Sequence, residues 1–217
     1  MGEIDYSKIC FVVMPFDKKK VDRKLIDFDK IYTGIFKPAI EAVDLPEGGK
    51  LKARRTDQDY YTANIDTEMY QYLAYSRFAL VDITGLNANV FYELGIRHNS
   101  NQNGTAIFRQ TDKPIPFDIS HIKAFPYEYK PASEIEASKA LITKVLTESL
   151  IYNRIDSPVQ VALMEQKSQG PQVDILLKEA TNAMRNGDTN TAIDKYKKAL
   201  QQGGDNPVLD HELGLLL

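Results

Sequence analysis

The stretch Val81-Asp82-Ile83-Thr84-Gly85-Leu86-Asn87-Ala88-Asn89-Val90-Phe91-Tyr92-Glu93-Leu94-Gly95 holds the densest set of residues able to do chemistry in this 217-residue chain. An apolar run at 78–81 ends in Asp82 and a polar turn, and two asparagines then open a second apolar run that carries Glu93. The pattern reads as a strand passing its carboxyl end to the start of a helix, the place where open α/β sheets bind ligands. Asn89 suits an N-cap, because its side-chain oxygen can accept an orphan backbone N–H. Glu93 would follow about one turn later, where the helix dipole favours an ionised carboxylate. A carboxylate so placed can attack, or stabilise positive charge on, a sugar carbon that is losing its base. The same spacing also fits a plain solvated glutamate, with Asn87 and Asn89 as turn and cap residues.

Residues of this kind act only if a sheet delivers them, and the rest of the chain supplies one. Residues 8–14 form a short apolar run, read as a buried parallel strand. Over 28–43, Ile31, Ile35, Ala39 and Ala42 fall near helical spacing, and Pro38 predicts a kink or break. Pro46-Glu47-Gly48-Gly49 marks a turn before a second strand at 51–54. Ile65, Met69, Tyr72 and Leu73 make one face of a helix ending near Ser76. A third strand at 78–81, the Glu93 helix at 89–99, strands at 105–109 and 123–127 and a closing helix at 135–152 complete the series. Strands separated by helices predict right-handed crossovers and a parallel sheet covered on both faces. The expected fold is therefore an α/β domain over 1–153 with about five strands.

Composition narrows the function classes. The net charge of −3 argues against general nucleic-acid affinity, and 43% hydrophobic content is ample for a packed core. Lys18-Lys19-Lys20 is a local basic run, read as a solvated loop whose place after Phe16 would also let it meet a phosphate. The single Cys10 rules out an intrachain disulfide framework and, inside the first apolar run, reads as a buried small hydrophobe. No charged-then-apolar leader and no run of membrane-spanning length are present, so the expectation is a cytoplasmic protein without membrane contact. His98, His121 and His211 are scattered, with no nucleophile motif, glycine-rich phosphate loop or metal-ligand spacing to accompany them.

Beyond residue 153 the pattern changes. Residues 154–171 read as a linker or short connecting helix. From 172 to 217, the spacing of Leu176, Ala180, Gly187, Ala192, Tyr196 and Ala199 resembles a tetratricopeptide repeat, which has a 34-residue period. Leu213-Gly214 falls one such period after Glu179-Ala180, although Pro207 comes about three residues late. An ordinary amphipathic hairpin fits the same residues. A lone repeat cannot bury its apolar face, so the expectation is an array continuing past Leu217 that binds a protein partner or drives self-association.

Phe11-Val12-Val13-Met14-Pro15-Phe16, Arg55-Thr56-Asp57, the segment from Asp82 to Gly95 and Ile115-Pro116-Phe117-Asp118 together resemble the nucleoside 2-deoxyribosyltransferase-like group, related to Toll/interleukin-receptor (TIR) domains. The resemblance covers about residues 6–128 and implies a flavodoxin-like parallel sheet with helices on both faces. It implies that Glu93 breaks an N-glycosidic bond, as the Glu of Glu-Leu-Gly does in the transferases and as a glutamate does in TIR enzymes that cleave NAD⁺. The transferases carry an acidic residue shortly before the nucleophile, where this chain has Asn87 and Asn89, which argues against base exchange between deoxynucleosides.

On this reading Asp82 is the second catalytic candidate, accepting from ribose hydroxyls, with capping of the following turn as its rival role. Met14, Pro15 and Phe16 would form the first strand-end loop, with Phe16 stacking on a base or lying under the loop as a core residue. Arg55 would pair with a phosphate and Asp57 orient it, unless they form a plain surface ion pair. Thr84, Asn87, Asn89 and Tyr92 would shape the pocket. NAD would be a substrate, with no cofactor. The implied functions are an assembly-dependent N-glycosidase of the kind TIR enzymes use in antiphage defence, or a non-catalytic nucleotide sensor signalling through the repeats.

Overall fold

The computed structural model describes residues 4–56, 65–111, 113, 115–168, 171–185 and 187–203, and divides into two compact units, 1–158 and 159–217. In the first unit, five parallel strands form one sheet: β1 (Ile9–Val13), β4 (Lys52–Arg54), β5 (Phe78–Asp82), β6 (Thr105–Gln110) and β7 (Ala124–Tyr127). Their order, β4-β1-β5-β6-β7, is that of a doubly wound sheet. It reverses direction between β1 and β5, and such switch points open a crevice at the carboxyl ends of the strands.

The core follows from strand alternation, which sends successive side chains to opposite faces. Cys10, Val12, Phe78, Leu80, Ala106 and Phe108 face one way and bury against a helical segment and α5 (Ala132–Tyr152). That segment runs from α1 (Phe28–Ile31) through a π-helical turn at Tyr32–Phe36 into α2 (Lys37–Glu41). Ile9, Phe11, Val13, Ala79, Val81 and Ile107 face the other way, against α3 (Ile65–Tyr75) and α4 (Ala88–Ser100). Both faces are covered, so every strand reads as a continuous apolar run. Pro38 neither breaks nor ends the helical segment: it sits in the first turn of α2, where a missing N–H costs least, and the irregularity is taken up by the π turn before it.

One element departs from the expected loop. Lys18-Lys19-Lys20 lies in β2 (Lys18–Val21), which pairs antiparallel with β3 (Lys24–Asp27) as a separate two-stranded hairpin. Asp22 turns the chain at φ 54°, a left-handed value that Asp tolerates better than most residues. Val21 and Ile26 are buried, and their burial docks the hairpin onto the α/β unit.

A buried arginine ties the other end of the sheet together. The Arg97 guanidinium donates to the carbonyls of Leu73, Ser76, Arg77, Asn103 and Gly104 at 2.7–3.3 Å. It thus satisfies the orphan carbonyls where α3 ends and the turn before β6 begins. Residues 154–157 belong to this unit rather than to a free linker. Asp156 Oδ2 accepts from Thr105 N at 2.9 Å, and the Ser157 hydroxyl donates to the His98 carbonyl at 2.6 Å.

In the second unit, α6 (Pro158–Ser168) occupies most of the expected linker. It is followed by α7 (Pro171–Arg185) and α8 (Thr189–Gly203), which pack as a helical pair around Val173, Leu176, Ala180, Tyr196 and Ala199. Pro207, Leu213-Gly214 and the final leucines lie outside the described residues. Among the described residues, no helix is long and apolar enough to cross a membrane.

Candidate functional site

The candidate residues gather at the carboxyl ends of β1, β4, β5 and β6, in three neighbouring groups. The first follows β1. Met14 and Pro15 are buried, and Phe16 is 39% exposed, so it lies at the surface and not beneath the loop. Asp17 at φ 58° then reverses the chain into the hairpin. Arg55, just past β4, is 4% exposed; its guanidinium lies 4.5 Å from the Tyr32 ring centroid and 5.1 Å from that of Phe16. It also donates to Asp29 Oδ1 at 2.8 Å. Two rings and a carboxylate therefore hold this cation in place, and Asp29, not Asp57, is its ion-pair partner among the described residues. Asp57 itself lies outside the described residues. Beside this group is an open groove of about 520 Å³ lined by Asp17, Lys18, Asp27, Asp29 and Lys30.

The second group is a buried polar network across the strand ends. Asp82 is fully buried; its Oδ1 accepts from Thr84 N at 2.9 Å and its Oδ2 from the Tyr127 hydroxyl at 2.7 Å. The Thr84 hydroxyl in turn accepts from Gln110 N at 3.0 Å. Burial pushes the Asp82 carboxyl up to about 6 against the pull of those donors. Of its two anticipated roles, the structure displays the turn-capping one. The carboxylate is committed to Thr84 and Tyr127, and no surface of it reaches solvent. Thr84 is likewise fully buried and structural.

The third group is on α4, and here two expectations are corrected. Asn87, not Asn89, is the N-cap: its side chain accepts from Asn89 N at 2.9 Å. The chain enters the helix early because Gly85 (φ 83°) and Leu86 (φ 53°) close the turn in left-handed conformations. Glu93 is consequently the sixth residue of the helix rather than a first-turn residue. It lies beyond the short reach of the dipole, and burial decides its state.

Glu93 is partly buried, makes no hydrogen bond or ion pair among the described residues, and has its carboxyl raised to about 7 by desolvation. Helical spacing places it one turn before Arg97, whose bonds to Leu73 and Ser76 define the α4 face that meets α3. Next to it, Tyr92 is 61% exposed, with its hydroxyl 3.4 Å from that of Tyr70 on α3. Phe117, in the loop after β6, is 88% exposed.

The hairpin connects these groups. A Cβ built on Gly85, in the turn between β5 and α4, would stand 2.8 Å from Val21 Cγ2. Asp22 at the hairpin tip pairs with Lys113, past β6, at 2.8 Å. The hairpin thus spans the carboxyl ends of β1, β5 and β6. Asp29, Tyr32, Tyr70, Tyr127 and the hairpin did not emerge as site elements from the sequence. The readable signal for the hairpin was the pair of apolar residues, Val21 and Ile26, flanking a polar tip.

His98 contributes no base. Its side chain is 4% exposed, and burial followed by the Arg97 charge drives it down to about 4, leaving a neutral ring inside the α/β unit. Cys10 is buried, with its thiol pushed up to about 12, and is no nucleophile. Among the described residues, no group of histidines, cysteines and carboxylates could hold a metal ion. No protein-family model, curated protein or solved structure matches the chain.

Proposed function

We propose that the α/β unit is a flavodoxin-like, TIR-like N-glycosidase that cleaves the base–ribose bond of NAD or a related nucleotide in antiphage defence. On the same proposal, the helices after residue 171 begin a tetratricopeptide-type array that recruits a partner or drives self-association. The supporting observation is Glu93. Carboxylates at a protein surface are usually solvated or paired, whereas this one is partly desolvated, unpaired among the described residues and raised to about 7. It stands on the helix that leaves the strand-end crevice, between exposed aromatic side chains able to stack on a base.

In this mechanism the Glu93 carboxylate attacks the anomeric carbon as the C–N bond breaks, and the base leaves with the bonding electron pair. Water then hydrolyses the sugar ester and regenerates the carboxylate. A carboxyl raised to about 7 supplies a substantial ionised fraction at neutral pH and, after protonation, an acid for the departing group. Asn87 and Asn89 border the crevice, and Arg55 is pre-oriented by Asp29, Phe16 and Tyr32.

The second reading, a nucleotide sensor without turnover, is favoured by one observation. Asp82 is wholly committed to Thr84 and Tyr127, so Glu93 acts without a second free carboxylate from β5. Incubating the wild type and Glu93→Gln with NAD⁺ and a nucleoside panel, over a concentration series, separates the two. Base released by the wild type alone establishes the glycosidase. Ligand binding with no release by either protein establishes the sensor.

A further inference from the structure

The β2–β3 hairpin carries five cations in the seven residues 18–24, inside a chain whose net charge is −3. Its two acidic neighbours are already engaged: Asp22 with Lys113 at 2.8 Å and Asp27 with Lys18 at 3.9 Å. Lys19, Lys20 and Arg23 are exposed and form no ion pair among the described residues. Directly across the strands, Lys20 faces Leu25 and Val21 faces Lys24, so the pairing adds no neutralising carboxylate at these positions. Like charges this close repel one another, and an anion would relieve that repulsion.

Edge protection is the ordinary reason for lysines on a short hairpin, and a charge or two per edge suffices for it. That explanation leaves the placement unaccounted for. Alternation puts Lys19 and Lys24 on the same hairpin face as the buried Val21 and Ile26, the face that docks onto the α/β unit. That unit presents Gly85 and the β5–α4 turn to Val21, in the same loop that leads to Asn87 and Glu93. The cations therefore flank the crevice, with the Arg55 guanidinium and the Phe16 ring at the hairpin's root.

We infer that the hairpin is a phosphate-binding arm whose Lys19, Lys20, Arg23 and Lys24 take the phosphate or pyrophosphate of the ligand at the strand-end crevice. The substrate class is accordingly a phosphorylated nucleotide and not a free nucleoside. This deepens the proposed function and rests on it for the identity of the ligand, while the phosphate site itself can be tested without any glycosidic bond.

The test is a calorimetric titration of the full chain with inorganic pyrophosphate at 50 and 200 mM salt. It compares the wild type, the triple variant Lys19→Glu/Lys20→Glu/Arg23→Glu and the conservative Lys19→Arg/Lys20→Arg/Arg23→Lys. The wild type should bind, and more weakly at the higher salt because phosphate contacts are screened. The charge-reversed variant should lose at least tenfold in affinity, and the charge-conserving one should stay within about threefold. Circular dichroism melts check that all three fold alike.

Absence of pyrophosphate binding by the wild type, or equal binding by the charge-reversed variant, overturns the inference. Hairpin-dependent binding to anionic vesicles or to single-stranded RNA without pyrophosphate binding also overturns it, in favour of a macromolecular surface. Pyrophosphate binding with no base release from any nucleotide would sink the glycosidase while leaving the arm intact. Base release from free nucleosides without pyrophosphate binding would do the reverse.

Discussion

The Tyr127 hydroxyl donates to Asp82 Oδ2 at 2.7 Å, linking β7 to β5 across the intervening β6. Both groups are buried, and the bond uses the carboxylate oxygen that Thr84 N leaves free. Tyr127→Phe would strand that oxygen in an apolar setting and should destabilise the fold by about 1–3 kcal/mol, read from chemical denaturation. It should raise the Asp82 carboxyl further, because the hydroxyl's hydrogen bond is one of the influences holding it down. A variant with unchanged stability would mean that the network is not a structural clamp.

Glu93 sets a pH dependence whose sign can be worked out. Its folded value of about 7 lies above the ordinary 4.5, so in that window the native state holds more protons than the unfolded chain. Stability is then lost as pH rises from about 4.5 through 7. Glu93→Gln removes this loss and should gain stability relative to wild type across the same window. The gain should be on the order of 1 kcal/mol once partial exposure is discounted. Base release by the wild type should climb over the same range as the carboxylate ionises. Parallel stability–pH curves for the two proteins would contradict the raised carboxyl.

His98 acts in the opposite direction. Its folded value of about 4 lies below the ordinary 6.5, so the stability its neutral form contributes is present above pH 6.5 and lost as pH falls through 4. Protonation would place a cation beside Arg97 in a buried site. Hydrogen exchange at Asp156 and Ser157 should accelerate below about pH 5, because Ser157 bonds the His98 carbonyl. In His98→Gln that acceleration should be blunted, and an unchanged pH response would refute the assignment.

Arg97→Lys keeps the charge and loses the fork. An ammonium cannot reach the five carbonyls that the planar guanidinium serves, so buried acceptors at the α3 terminus and the turn before β6 are left unpaired. The expected cost is about 3 kcal/mol or more, measured by urea denaturation, with pyrophosphate binding in the surviving folded fraction unchanged.

Gly104→Ala tests the same corner through the backbone. Gly104 holds φ 81°, and a Cβ there would clash with the Arg77 carbonyl oxygen. That carbonyl is one of the Arg97 acceptors, so it cannot shift cheaply. A loss of roughly 2 kcal/mol or more is expected in thermal melts. Gly95→Ala, where nothing stands within 4 Å of the new Cβ, should be neutral or stabilising and serves as the control.

Apolar runs bounded by turns were enough for the sequence to determine the five strands and the order in which helices follow them. Each run needed only to be long enough for one element and apolar enough to be buried on both faces of the sheet. Glu93 could be singled out for the same local reason, a carboxylate on the helix after a strand that ends in a polar turn. Choices that depend on distant partners belonged to the tertiary structure. Whether Asp82 faces a ligand or caps a turn rested on Tyr127, 45 residues away. Arg55 found Asp29 and Tyr32, neither near it in sequence. The basic run at Lys18 became a strand because Val21 and Ile26 could be buried against the unit, a gain invisible to a four-residue window. Local periodicity encodes which face of an element is buried, and only packing decides what that face meets.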